Sequence, residues 1–503
     1  MKSRLALVRP GIAAALALLA PAAWFGFGLG AGADGQGVPA LNAAEKPESP
    51  SARYMGTASC SLCHDNGSPR FPTDLVSLNE YHIWAADDKQ DRHAADVHHL
   101  AYKALVGPRA KEIEQAMGRP DGWATTAESG CLSCHSANLH ANNCDHSLNI
   151  PVELAQGVGC EACHGPASLW IDKHWKRSEW RDDKQLSAEA KQDRYKLTNV
   201  RDPVARTELC LSCHLGNRTE GKFITHEMFA AGHPPLPPFE IEAFLDNMPR
   251  HWRPAAEKPP DAQAYLGFRP LERTRAVVLE GLIELRASIR LLAEQTKESR
   301  PPNAEPNRGV SDFALYDCAA CHHELIIPSQ RQERGYNDFA PGRPALRYWA
   351  LPLAELGLGA VKPDDAASDR TKLEAILSPL AAAANESPFG LPAAIGAAAH
   401  KVAAELDKSI TSLAAKDFDT ASAKRMLAQV CRIGSDSPLD YDSARQMTSA
   451  IEAIVADLGD KLDTNSVAAA ESLLRGTSLT NTSGFDPEDF RAKLKNLANA
   501  LAH

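Results

Sequence analysis

The chain has 503 residues, 12 cysteines and 18 histidines, a length that suggests about two to four domains with real cores. Hydrophobic residues make up 44% and charged residues 23%, which excludes a disordered chain and a multi-pass membrane protein. The net charge of −10 gives no support for a nucleic-acid partner. Twelve cysteines suit disulfides, zinc or haem, and position decides among them: ten fall into five identical spacings.

At the N-terminus Lys2, Arg4 and Arg9 precede an uncharged stretch from Pro10 to Ala33, rich in Ala, Leu and Gly. This pattern predicts a secretory signal over residues 1–33, with Ala31-Gly32-Ala33 as the cleavage candidate and Ala20-Pro21-Ala22 as a weaker one. The stretch also has the length of an uncleaved membrane anchor, a reading that Pro10, Pro21 and the glycines weaken. Either way the body of the chain is expected to be exported, to the periplasm or beyond. Residues 34–53 are polar and rich in Pro, Gly and Ala, as a linker would be.

Five Cys-x-x-Cys-His motifs follow: Cys60/Cys63/His64, Cys131/Cys134/His135, Cys160/Cys163/His164, Cys210/Cys213/His214 and Cys318/Cys321/His322. Two thiols three residues apart on one helical turn can reach the two vinyl groups on one haem edge, and the next residue then projects its imidazole toward the iron. At the Cys and His frequencies of this chain, roughly 0.01 such motifs arise by chance. Zinc ribbons and disulfides also use close cysteines, but neither requires the following histidine. The motifs predict five covalently attached c-type haems, with the ten cysteines as attachment points and the five histidines as proximal ligands. With so many haems in about 290 residues, haem faces are expected to supply much of the core.

A low-spin haem needs a second strong axial ligand, and thirteen histidines remain to supply five. Here the sequence resembles a family. Met55-Gly-Thr-Ala-Ser-Cys60, Gly157-Val-Gly-Cys160-Glu-Ala-Cys163-His164-Gly-Pro166 and His226-Glu-Met-Phe-Ala-Ala-Gly-His233-Pro234 resemble the cytochrome c-554 family, multihaem cytochromes related to hydroxylamine oxidoreductase. The segment from Asp312 through His322-His323 to Gly342-Arg-Pro344 resembles a larger branch of exported multihaem proteins. The resemblance covers residues 54–350 and implies four distal ligands: His226 and His233 as the paired histidines of the motif, His174 after the Cys-His-Gly-Pro segment, and His98, with His93 as its competitor. One haem is left unassigned. His140, His146, His251 and His323 are its candidate ligands, and an open iron is the alternative.

Residues 54–233 hold four of the motifs, with short helices expected in segments such as Ala101–Met117. Residues 234–260 carry eight prolines and are expected to be an extended wrapping connection rather than core. Leu271–Lys297 is the clearest predicted helix: Val278, Leu282, Leu285, Ile289 and Leu292 give one apolar face, and Pro301-Pro302 ends it. We read it as a core helix over the haem part rather than an oligomer seam. Beyond residue 350, Ala-rich amphipathic segments at Thr371–Asn385, Pro392–Ala415, Ser422–Arg432, Ser443–Leu462, Asn465–Arg475 and Pro487–Leu501 predict a helical bundle. Cys144 and Cys431 are read as two independent thiols, with a disulfide between them as the less favoured option.

The expected fold is mainly α: a pentahaem cytochrome c domain at 54–350 with long loops around stacked haems, then a C-terminal helical bundle at 351–503. Three functions compete. The first is an electron carrier between exported redox proteins or a membrane quinone-linked complex. The second is a haem enzyme acting on a small nitrogen or sulfur compound at an open iron. The third is a haem-bearing scaffold whose bundle binds a partner. The first is preferred. A Lys-ended Cys-x-x-Cys-Lys motif, expected of a pentahaem nitrite reductase, is not in the sequence.

Overall fold

A computed structural model describes residues 51–68, 76–86, 96–136, 143–183, 186–298, 312–323, 325–329, 332, 343, 345–347, 350–361, 366–387, 389–436, 439–476 and 485–502. The expected signal over 1–33, most of the linker, His93 and His140 lie outside the described residues.

The chain is mainly helical, as expected, and among the described residues β-structure is confined to isolated bridges such as Tyr54 with Cys144. Each of the first four haem motifs lies on or against a helix: α1 (Thr57–His64), α2 (Leu132–His135), α3 (Cys160–His164) and α4 (Pro203–His214). Helix α4 starts where its sequence dictates: the Asp202 carboxylate accepts from the Ala205 amide at 2.8 Å, and Pro203, which has no amide to satisfy, takes the first position. Helix α5 (His226–Ala230) is capped by the Thr225 hydroxyl, which accepts from the Met228 amide. The fifth motif forms a single 3-10 turn at Cys318–Ala320, capped by Asp317.

The Pro-rich 234–260 segment is less extended than expected. It contains α6 (Ile241–Asn247), and Phe239 and Ile241 are buried in the main core. Prolines cluster before and after this helix and leave residues 241–247 free of them, so a proline count over the whole segment hid a local helix.

Helix α7 (Glu272–Glu298) matches the predicted span within a residue at each end. Ala276, Val277, Val278, Leu279, Leu282 and Ile283 are all fully buried, so the helix is enclosed on more than the one face its periodicity showed. Around and beyond it stand α8 (Leu351–Val361), α9 (Ala366–Asn385), α10 (Pro392–Ala414), α11 (Thr420–Asp436), α12 (Tyr441–Leu458), α13 (Thr464–Gly476) and α14 (Pro487–Leu501). Helix α7 packs on α10, α8, α4 and α12. Glycines set the closest approach: a Cβ at Gly281 would sit 2.3 Å from the backbone of Leu353 on α8. Helix α8 was not expected, because its buried residues run continuously from Pro352 to Ala360 and show no helical period.

One hydrophobic core runs from Leu211 on α4 through α7 to Leu501 on α14, so the boundary expected near residue 350 does not separate two cores. Buried charge ties the same elements together. Arg286 on α7, its side chain 5% exposed, bonds Glu208 on α4 and Asp407 on α10. Cys144 and Cys431 are both buried and unbridged. No described helix is long and apolar enough to cross a membrane.

Candidate haem sites

The motif helices bring the five proximal histidines to five separate places, and each faces one further histidine. Ring centres are 6.2 Å apart for His64 and His174, 6.3 Å for His98 and His214, and 6.4 Å for His135 and His233. They are 6.5 Å apart for His164 and His251 and 6.3 Å for His226 and His322. The first and last pairs are nearly parallel, at 16° and 29°, and the other three are crossed at 75–83°.

These separations have a simple meaning. An imidazole nitrogen bonds a first-row metal at about 2.0 Å. The ring centre lies about 1 Å behind that nitrogen, so two imidazoles on opposite sides of one iron have centres about 6 Å apart. The second nitrogen is held as well. His64 Nδ1 lies 2.7 Å from Glu80 Oε2, and His98 Nδ1 lies 3.0 Å from Asp96 Oδ1. The Nδ1 atoms of His135, His174 and His233 meet the carbonyls of Ala101, Ile171 and Pro234 at 3.1, 2.7 and 2.7 Å. Anchoring Nδ1 as the donor leaves Nε2 free to ligate and fixes the ring plane. Burial pushes the pKa of His164 down to about 4, helped by the neighbouring imidazoles of His251 and His64, and burial does the same for His214. Burial also lowers His174, His233 and His251. These five rings are thereby favoured in the neutral form that binds metal.

The four distal candidates named from the sequence therefore each stand opposite a motif histidine. The residue that sequence reasoning left open is His251, opposite His164. His146 lies instead against Arg53, and His323 is exposed. His99 packs edge-on to Trp84, and His400 is exposed on α10.

The protein leaves room for large apolar groups. Below residue 205 the buried apolar residues form two small clusters among the described residues: Ala167, Trp170, Trp180 and Leu186, and Leu105, Ala110 and Ala124. A stretch of that length packed on its own side chains needs a larger core. At the fifth site a cavity of about 600 Å³ is lined by Phe229, one turn from His226, and by Ile289, Leu292, Leu315, Leu346 and Arg347. The residues present fit haem: paired imidazoles, two motif thiols leading into each proximal histidine, and missing protein core around them.

The sites adjoin one another out of sequence order. The thiols of Cys60 and Cys160 hydrogen-bond each other, as do those of Cys134 and Cys213. Cys163 lies within electrostatic reach of Cys210 and Cys213.

Cys63 corrects the expectation that haem edges are enclosed as core. It is exposed, beside Leu62, which is 85% exposed, and its carbonyl accepts from Asn66 Nδ2 at 3.3 Å. Among the described residues its thiol joins none of the cysteine contacts that its motif partner Cys60 makes. The reason is the helix turn: three residues carry the chain about 300° round and about 4.5 Å along the axis. When α1 aims Cys60 at Cys160, Cys63 falls near the C-terminal end of the helix, on a side open to solvent. As an attachment point it would set one side of the first haem at the surface.

His226, of the fifth pair, and His233, of the second, sit at the start of α5 and just beyond its end. The segment before Cys160 is wedged between neighbours. Gly157 has φ +76°, and a Cβ there would fall 2.5 Å from the His98 carbonyl oxygen; the Val158 amide donates to that same oxygen at 2.9 Å. A Cβ on Gly159 would sit 2.5 Å from Thr57 Cγ2. The Gly-Val-Gly-Cys signature is thus a packing requirement, with no space for a side chain on either glycine.

Residues 59–165, which carry the first three motifs, match the family of cytochrome c554 and c-prime. No curated protein and no solved structure matches the chain. The match supports a c-type cytochrome family, with covalently held haem c and electron transfer as its chemistry.

Proposed function

We propose that each of the five histidine pairs brackets one haem c, and that the chain is an exported pentahaem electron carrier. The observation that carries this reading is the pairing itself: each motif histidine has one opposite imidazole at 6.2–6.5 Å. A haem with two imidazole ligands supplies a one-electron ferric/ferrous couple of lower potential than a His/Met haem.

The contacts between motif cysteines and the shared helix α5 support a site order of first, third, fourth, second, fifth. Electrons would enter and leave at the first and fifth sites, where Cys63 and the pair Cys318 and Cys321 are exposed. The residues hold the imidazoles, exclude water and keep neighbouring sites close. Each site is closed by two protein ligands, which favours a carrier over an enzyme with an open iron. The N-terminal pattern supports export, and redox proteins of the same compartment or a membrane quinone-linked complex are the partners such a carrier would serve. The test is a haem count by alkaline pyridine spectroscopy on purified holoprotein, with magnetic circular dichroism for ligation. Five haems, all with two nitrogen ligands, is the expected result; fewer haems or a methionine-ligated haem overturns it.

A further inference from the structure

Glu161 occupies one of the two variable positions inside the third motif, where the spacing itself demands no particular side chain. It is 5% exposed, and its carboxylate reaches out of its own helix. Oε1 and Oε2 accept from the Met55 amide at 2.9 and 3.0 Å, Oε2 from the Gly56 amide at 2.8 Å, and Oε1 from the Ala167 amide at 2.7 Å. Met55 and Gly56 lead directly into α1, which carries the first motif. A second carboxylate works beside it: Glu153 Oε2 accepts from the Thr57 amide at 3.0 Å and the Thr57 hydroxyl at 2.9 Å. Gly56 has φ +82°, which aims successive amides at the two acids, and a Cβ there would strike Leu148 and Glu153. The start of α1 is therefore held by side chains from the third site, with Cys60 and Cys160 in contact.

A buried acid can serve simply to cap loose amides. Here the amides it caps belong to a different site. Three donors from two segments converge on one carboxylate, so turning α1 against α3 breaks several charge-assisted bonds together.

We propose that Glu161 is a positioning residue that fixes the separation and orientation of the first and third haem sites, with Glu153 as its second clamp. The proposal rests on the haem reading above. Electron exchange between neighbouring haems is governed by edge separation and orientation, so a residue that sets both governs the rate of the first internal step without touching either iron.

The test is made on holoprotein, with wild type compared with Glu161→Ala, Glu161→Gln and Thr57→Val. Haem count and magnetic circular dichroism report whether five bis-His haems are present. The Soret circular dichroism couplet reports the coupling between adjacent haems, which a residue that merely stabilises the fold would not move. Glu161→Ala with five low-spin haems is expected to lose about half of the couplet contributed by this pair and to slow its electron equilibration. Glu161→Gln, which keeps the shape and one good acceptor, is expected to fall between. A wild-type couplet in Glu161→Ala with all five haems present overturns the proposal. If that variant does not mature, an unchanged couplet in both Glu161→Gln and Thr57→Val overturns it equally. Loss of the five-haem count in the wild type contradicts the haem reading instead, and the two failures are thereby distinguished.

Discussion

The rings of His164 and His251 face each other with centres 6.5 Å apart, at 75°. Of the five pairs this is the one whose second member carried no sequence signal, and it closes the site that was open to an enzymatic reading. His251→Ala is expected to convert one haem in five to a high-spin form with an open position. The reduced variant should bind carbon monoxide at one haem, and the reduced wild type at none. Carbon monoxide titration followed in the Soret band checks this.

Haem removal should act unevenly along the chain. The region below residue 205 has only small protein cores among the described residues, whereas the core around α7 runs to Leu501. Chain produced without covalent haem attachment is expected to lack fixed structure across residues 51–205 and to keep protected helices across α7 to α14. Hydrogen exchange read by mass spectrometry would show fast exchange in the first part and slow exchange in the second, because metal and cofactor binding free energy is folding free energy where no other core exists.

Arg286 joins α4, α7 and α10 from a buried position. Removing a buried cation leaves Glu208 and Asp407 uncompensated, at a cost of about 3–5 kcal/mol for a fully buried pair. Both acids here are partly exposed, at 44% and 40%, so Arg286→Ala is expected to cost about 2 kcal/mol after solvent screening. Thermal unfolding of the holoprotein measures it. Because α4 carries Cys210 and His214, the fourth haem should show the largest spectral change below the main transition.

Glu240 gives a pH dependence with a defined sign. Burial lifts its pKa to about 7, against the opposing pull of Arg445, 2.8 Å from its Oε2. The folded state then holds a proton that the unfolded state releases near pH 4.5. This contribution to stability is complete below pH 4.5 and is lost as pH rises through about 7. Glu240→Gln is expected to flatten that fall by about 1–3 kcal/mol between the two limits. Denaturant midpoints measured across the range check it. A stability that rises with pH over this window in the wild type, and the same in the variant, would contradict the assignment.

What the sequence made legible was local. The motif histidines, the capped start of α4, the span of α7 and most of the later helices depend on residues within a few turns of one another. The distal ligands are a tertiary property. His174, His98, His226 and His233 were reached through a family resemblance, and His251, in a Pro-rich segment, by neither spacing nor resemblance. The motif spacing also treats its two thiols alike, while the packing of α1 on α3 separates them: Cys60 meets Cys160 and Cys63 faces solvent. Helix α8 was hidden because a segment buried on all sides shows no amphipathic period. The continuity of the core across residue 350 was hidden for a related reason: α7 displays one apolar stripe in sequence, while its Ala276, Val277 and Leu279 on other faces meet partners that lie far along the chain. Glu161 looked like a filler residue between two cysteines, and only the approach of Met55 and Gly56 gives it a role.

The central claim is that all five irons carry two histidines. Electron paramagnetic resonance of the oxidised holoprotein, integrated against the haem count, tests it most directly. The expected result is five low-spin ferric centres per chain, with no high-spin signal and no change on adding nitric oxide precursors or sulfite to the reduced protein. A high-spin ferric signal amounting to one haem per chain would contradict it and would reopen the enzymatic reading.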